Sequence, residues 1–448
     1  MMEHVEDIGD IVFSELKKYD FTEADAFVSF KKSWQIVGGA NKIEHVNFRQ
    51  NIGLGIRVII RKKIGFFATT VSKREDIQYA INKAYKIAKT VNEDKNWVSL
   101  PRNLGSTHVE GIFDKKIDEL SSDELIKLFL VGLEVIKTDK NAYLARGKIG
   151  GGVARIGIFT SNGDSLVKKE SLASTMFEIN YKKNGIVGMG YEYDYSRMWN
   201  LSIESVAEKA LSYAKKSAEA TKIKTINKLS VIWHNRFSLK ILDNMLSTTI
   251  TADAVQQKRS PYMNKIGEQI FDENLTIIDE GLRPAGLGTA PFDDEGIPQQ
   301  NTTIVEKGVL RNFLYDTYTA NKDKCKSTGN ASRSYKSLPR PSPHDIVIKP
   351  GTATLEDMIC NISEGILIID TIGEWLSDPV SGAINATVTL GAYIKKGEIK
   401  NFVKGFIVSG NWFEIAKSGI RTIGRDIRHD LGVSTPSIWI DKMVIASD

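Results

Sequence analysis

A chain of 448 residues with 42% apolar and 26% charged content has the make-up of an ordinary globular protein and exceeds what one hydrophobic core supports, so two or three domains are expected. Sixty Lys and Arg against 55 Asp and Glu leave a formal charge of only +5, and basic runs such as "IRKK" ending at Lys63 are short; a nucleic-acid groove needs a denser cationic stripe, so no nucleic-acid partner is expected. Two cysteines, Cys325 and Cys360, are too few for a disulfide framework and suit a reducing compartment, and no apolar run approaches the roughly 20 residues that cross a bilayer, so a cytoplasmic protein without membrane contact is expected.

The opening "MMEHVEDIGDIVFSELKKYDF" is acidic and amphipathic and lacks the three-part pattern of a signal peptide. Val5, Ile8, Ile11, Val12 and Leu16 recur at helical spacing and predict a helix over 5–18. Alternating strands follow in "ADAFVSF", "SWQIVGGANKIEHVNFRQ" and "IGLGIRVIIRKKIGFFATT", punctuated at Gly38, Gly39 and Asn41 and turning at Lys62-Lys63. A helix over 73–91 closes this unit, so residues 1–95 read as an α+β domain with no βαβ alternation to suggest a parallel sheet.

The turn-rich "EDKNWVSLPRNLGSTH" reads as a linker to a middle α+β domain over 108–222. There Ser121 and Glu124 have capping-box spacing ahead of a helix. Strands over 142–190 follow, with hairpin signals at Asn162-Gly163 and Asn184-Gly185, and then a helix over 202–220. Helix, strands, helix thus occurs twice, with residue similarity too weak to establish a duplication.

After a helix in "SLKILDNMLSTTITADAVQ" the chain turns strand-rich, so 228–446 is expected to be a mainly β, barrel-like C-terminal domain, and the fold class is α+β. Two segments match by eye, "IVEKGVLRNFLY" (304–315) and "YIKKGEIKNFVK" (393–404). Each predicts a hairpin whose turn needs positive φ at Gly308 or Gly397. Just before the first lies "PFDDEGIP", with Asp293, Asp294 and Glu295 side by side. Consecutive side chains of an extended segment alternate between faces, and Asp-Glu-Gly before Pro298 is turn chemistry, so a turn-forming role and a substrate-facing acid both stand open.

The six histidines are scattered, and no two fall at i, i+3 or i, i+4, which excludes a zinc site built on one helix. His234 lies where a strand hands over to a helix, but Asn235 follows it, and Ser238 stands four residues on. Cys325 lies between Lys324 and Lys326 in a polar loop; neighbouring cations lower a thiol's pKa, which allows a nucleophile, although no histidine is close enough in sequence to act as base. Cys360 reads as core on a short helix. "KIGGGVARIG" continues as strand, so a bulge or tight bend is expected in place of a phosphate cradle. The backbone-rich loops "STGNASR" (327–333) and "SDPVSGAIN" (377–385) suit extended peptides. They nominate Ser327, Thr328, Asn330, Arg333, Ser381, Gly382 and Asn385, with Asp293, Asp294 and Glu295, as cleft candidates.

The run "GTAPFDDEGIPQQNTTIVEKGVLRNFLYDTYTANK", then "STGNASR", "VSGAIN", "KKGEIKNFVKGFIVSGN", "GRDIR" and "PSIWIDKMVIA", resembles the C-terminal domain of the TldD/PmbA family, once called modulator of DNA gyrase. The resemblance implies a cytoplasmic heterodimeric metalloprotease acting on unfolded or small peptides, whose TldD-type subunit holds zinc on an HExxxH helix. Here "VIWH" is followed by "NRFSLKILDNML", with neither the glutamate nor a second histidine, and "WLSDPVSGAIN" lacks the expected cysteine ligand. The chain therefore resembles the PmbA/TldE-type, non-catalytic subunit: no catalytic residue and no metal of its own, zinc expected on a TldD-like partner, and a homodimer when alone. Two other readings are a stand-alone peptidase using Cys325 or dispersed acids, and a gyrase- or nucleic-acid-associated binding module.

Overall fold

The computed structural model describes residues 4–102, 104–223 and 226–447. Helix α1 (Val5–Leu16) leads into β1 (Glu23–Gly39), β2 (Lys42–Ile60), β3 (Lys63–Thr70) and α2 (Arg74–Thr90). The order then recurs: the single turn α3 (Lys115–Asp118), α4 (Ser122–Lys137), β4 (Ala142–Thr160), β5 (Ser165–Lys183), β6 (Ile186–Ser196) and α5 (Ile203–Glu219). Turn chemistry sets the hairpins: Asn184 and Gly185 have φ of 51° and 81°, the paired positive values of a type I′ turn. Ser121 caps α4 by accepting the Glu124 N–H at 3.3 Å.

The two meanders form one six-stranded antiparallel sheet in the order β3-β2-β1-β4-β5-β6, joined where β1 pairs β4 from Asp25↔Thr160 to Gly38↔Gly147. One face is apolar and carries all the long helices of this part. Val28, Leu54 and Ile56 meet Ile8, Ile77 and Ile81 of α1 and α2, while Ile149 and Phe177 meet Phe129 of α4 and Leu211 of α5. The other face turns toward the C-terminal part. Strand β5 records the division: Ala173, Thr175, Phe177 and Ile179 are buried, and the intervening Leu172, Ser174, Met176 and Glu178 are half-buried.

No bulge forms at the triple glycine. Strand β4 keeps register with both neighbours through Gly150–Gly152, and its irregularity lies at Leu144/Arg146. A Cβ on Gly150 would lie 2.5 Å from the Trp34 carbonyl oxygen, so the glycine permits close approach of two strands.

The C-terminal part holds a closed five-stranded barrel. Glu364–Ile372 pairs in parallel with Ile226–Trp233; that strand pairs with Ile438–Ala446, then Phe406–Asn411, then Ala383–Lys395, which returns to Glu364–Ile372. A second sheet runs alongside, with Ile277–Glu280 between Asn301–Glu306 and Asp345–Ile348. Helix α6 (Asn235–Leu246) fills the space between them with Phe237, Ile241, Leu242 and Met245. Both matched hairpins have the expected turn, with φ of 46° and 78° at Lys307 and Gly308 and 55° and 75° at Lys396 and Gly397. The α+β class with a barrel-like C-terminal part is as the sequence predicts.

Two further local expectations fail. The single helix expected over "SLKILDNMLSTTITADAVQ" divides into α6 and Ala252–Gln256. Between them Thr248, Thr249, Ile250 and Thr251 are β-branched, and the Thr249 hydroxyl bonds back to the Met245 carbonyl at 2.7 Å. Cys360 ends the helix Leu355–Cys360 as expected but is exposed, because Met358 takes the inward position.

Candidate functional site

The six-stranded sheet meets the C-terminal part at two buried ionic contacts, one on its open face and one at its edge strand β6. The first is built on "DDEG". A bridge between Phe292 and Pro298 and a positive φ of 84° at Gly296 close a tight turn. The Asp293 carboxylate holds that turn by accepting the N–H groups of Glu295 and Ile297, and ties it to the next loop by accepting that of Ala331, each at 2.9 Å. Burial, with Glu295 alongside, pushes its pKa up to about 7 against the pull of these three donors. Asp294 points to the other side, toward the sheet, where it accepts from the Lys168 ammonium at 3.2 Å and from the Arg333 N–H at 2.9 Å. Glu295 accepts the Thr317 N–H at 2.9 Å and faces Arg57 at 3.6 Å.

Arg333 enters the same contact from the loop 327–333. Its Nη1 reaches Asp25 of β1 at 2.8 Å, and Arg57 of β2 holds the same carboxylate at 2.7 and 3.1 Å. Burial raises the Asp25 carboxyl, but the two guanidinium groups more than reverse this and keep it below the usual carboxylate range. Asn330 is fully buried and donates to Asp279 at 2.6 Å, while Ser327 and Thr328 bond the Tyr315 carbonyl. The stretches 293–295 and 327–333 therefore converge. Ser381, Gly382 and Asn385 belong to a separate turn: Ser381 caps Asp378 at 2.6 Å, Gly382 has φ of 75° against Phe413, and the Asn385 N–H bonds Ser377.

The second contact surrounds the start of α6. His234 caps the helix, its Nδ1 accepting the Arg236 N–H at 3.3 Å. Burial, aided by the Arg236 charge, lowers its pKa to about 4. The Asn235 side chain is committed to Asp426, and Ser238 is fully buried on the Trp233 carbonyl. An HExxxH frame starting at His234 puts its second histidine at Leu239, one residue past Ser238, and Leu239 is buried too.

The space beside this helix end is filled by cations. Arg236 lies between Glu192 of β6, at 2.9 Å, and Asp370 of the barrel, at 3.3 Å, with its guanidinium against the rings of Tyr191 and Tyr213. Lys240, one turn on, bonds Asp370 at 2.8 Å, and Arg428 meets Glu192 at 2.6 Å. The Tyr193 hydroxyl donates to Asp430.

These residues do not fit a zinc ion. Zinc needs three or four nitrogen, sulfur or oxygen donors at about 2 Å. Among the described residues no group of three or more His, Cys, Asp or Glu is arranged to hold a metal. Beside His234, Glu192 and Asp370 are neutralised by Arg236, Lys240 and Arg428, whose charge opposes a divalent cation, and the Asp426 carboxylate is taken up by Asn235 and Ser437. Cys325 is an exposed residue, and partial desolvation of its thiol, with Asp323 nearby, raises its pKa, the opposite of the activation that Lys324 and Lys326 suggested.

Sequence reasoning missed Arg236, Lys240 and their acids, although "YEYDYS" carried a legible period-two signal for the tyrosines of β6. A pH dependence follows from His234. Its folded pKa near 4 lies below its ordinary 6.5, so its contribution is present above pH 6.5 and is lost as pH falls toward 4. Unfolding curves of the native chain and of His234→Gln across that window should converge at the acid end, by on the order of 3 kcal/mol. Parallel curves would show that the ring does not titrate in this way.

Among the described residues no helix is long and apolar enough to cross a membrane. Residues 226–447 match the model of the PmbA/TldA metallopeptidase C-terminal domain, and residues 24–88 match PmbA/TldA metallopeptidase domain 1. The chain is 32% identical to uncharacterized protein MJ0231 of Methanocaldococcus jannaschii over 88% of its length and 90% of the relative's. It is 26% identical to metalloprotease MJ0996 of the same organism, over 88% and 87%. The crystal structure of TldE from Thermococcus kodakarensis superposes with a TM-score of 0.89 over 99% of both chains at 24% identity, so the two share a fold.

Proposed function

Because the chain belongs to the PmbA/TldD family of metallopeptidase homologues, we propose that it is a PmbA/TldE-type, non-catalytic subunit of a cytoplasmic peptidase complex that handles unfolded or small peptides. The zinc and the HExxxH helix belong to a TldD-like partner. The observation that carries this reading is the start of α6: beside the histidine stand a committed amide and two cations, the buried Arg236 and the half-buried Lys240, paired to Glu192 and Asp370. Such a site can position a neighbour's chemistry but cannot polarise water through a metal of its own.

The reading assigns the partner contact to the loop after Glu364–Ile372, where Trp375, Leu376 and Val380 are 62%, 76% and 54% exposed.

The test is metal content and hydrolysis, measured on the chain alone and after mixing with an HExxxH-bearing homologue. Alone, it should hold no stoichiometric zinc and cleave no unfolded peptide; mixed, cleavage should appear and be abolished by chelator. One tightly bound zinc per isolated chain, with chelator-sensitive peptidase activity, would overturn the proposal.

A further inference from the structure

Away from the contact at Asp294 and Asp25, the open face of the six-stranded sheet carries open space. A cavity of about 430 Å³ lies over its centre, floored by Ser33, Gln35, Gly150, Gly152 and Ser174. A second cavity of about 500 Å³ adjoins it, sharing Gln35 and Ser174, and its wall is Tyr191, Tyr193 and Tyr195 of β6. Together they form one trough across the strands, with volumes in the range of ligand-binding clefts. The backbone beneath is fully committed to the sheet ladder, so the floor offers a ligand hydroxyls, amides and open space above the glycines.

Charge distinguishes the two halves. The first cavity is lined by Lys31, Lys32, Arg49 and Arg197 and by a single acid, Glu170. Glu170 is taken up by Lys168 and Arg197, at 3.4 and 3.1 Å, and Lys32 is paired with Asp118. Lys31 and Arg49 have no ion-pair partner among the described residues, and both are exposed. In the second cavity Lys148 and Glu178 balance, and the surface is set by the tyrosine row, whose adjacent rings lie 6.3 and 5.5 Å apart.

We infer that this trough binds an extended peptide segment bearing acidic side chains. Its carboxylates lie over Lys31 and Arg49, and its apolar or aromatic side chains lie against the wall of Tyr191, Tyr193 and Tyr195. Unpaired cations in a concave site attract and orient carboxylates, and tyrosines supply rigid contact area that tolerates varied sequence. The inference rests on the peptide-handling reading above and narrows it to acidic segments.

Fluorescence anisotropy with the full chain alone tests it. The probes are a labelled eight-residue peptide with alternating Glu and Tyr and the same peptide with Lys for Glu, each at low and high salt. The acidic peptide should bind about tenfold more tightly, and salt should erase the difference. Lys31→Glu with Arg49→Glu, both exposed and spared by folding, should remove or invert the preference; Ser174→Trp, which fills the trough, should weaken both peptides. Equal affinity for the two peptides, or an acidic preference that survives the double reversal, overturns the inference. Because binding is read without the partner or hydrolysis, the two proposals separate. Cleavage by the mixed complex with no acidic preference here would sink only the inference, and acidic binding here with no cleavage there would sink only the proposed function.

Discussion

Arg236→Met should destabilise the protein by on the order of 3–5 kcal/mol, read as a lower denaturation midpoint at unchanged slope. The guanidinium is buried, as is its acid partner Glu192. Burial disfavours the charge, but Asp370 and Glu192 more than compensate and keep it fully protonated. Methionine restores much of the packing between Tyr191 and Tyr213 but leaves two carboxylates facing each other across a dry gap. Arg428 still holds Glu192 and Lys240 still holds Asp370, so the loss should fall short of complete unfolding. Arg236→Met with Asp370→Asn should recover part of the loss, since the second change removes one of the two facing charges. A single variant within 1 kcal/mol of the native chain would mean that solvent reaches this contact and that the cations do not define the site.

The parts of the fold that were legible are those set by local chemistry. Lys307-Gly308 and Lys396-Gly397 declare their turns because only certain residues accept positive φ, and β5 declares its two faces by strict alternation. The pairing of β1 with β4 was not legible, because a strand's sequence says which face is apolar and not which distant strand lies beside it. The same limit hid the α6 contact. Arg236 and Lys240 stand one turn apart on a helix, a pattern that ordinarily marks a solvated face, and Asp370 lies 134 residues from Arg236 in the chain. What could be read was an absence, the missing glutamate and second histidine after His234. What fills the place of that absence needed the fold.

"DDEG" shows how a motif can look catalytic and be structural at the level of each bond. Asp293 spends both oxygens on backbone N–H groups, Asp294 reaches Lys168 of β5, and Glu295 reaches Arg57 of β2. The acids therefore seat the C-terminal loops on the sheet.

Asp25→Asn should cost a comparable 3–5 kcal/mol, but with a different signature. Asp25 is the anion shared by Arg57 of the sheet and Arg333 of the C-terminal loop, so its loss leaves two buried guanidinium groups facing an amide that can accept only half as well. Arg333 Nε and Nη2 already lack hydrogen-bond partners, which leaves no spare acceptor to absorb the change. The weakening falls between sheet and barrel, so the connecting segment 93–114, stitched to the loop by the bonds of Gly105 to Gly296 and Thr107 to Pro291, should become sensitive to protease before the barrel unfolds. The pH dependence gives an independent check. Because the folded Asp25 carboxyl lies below its ordinary 3.8, its contribution is present above that pH and is lost as pH falls further, so the native chain should show an acid limb that Asp25→Asn lacks. If the variant keeps that limb, or if protease cuts the barrel and the connecting segment together, Asp25 does not join the two parts.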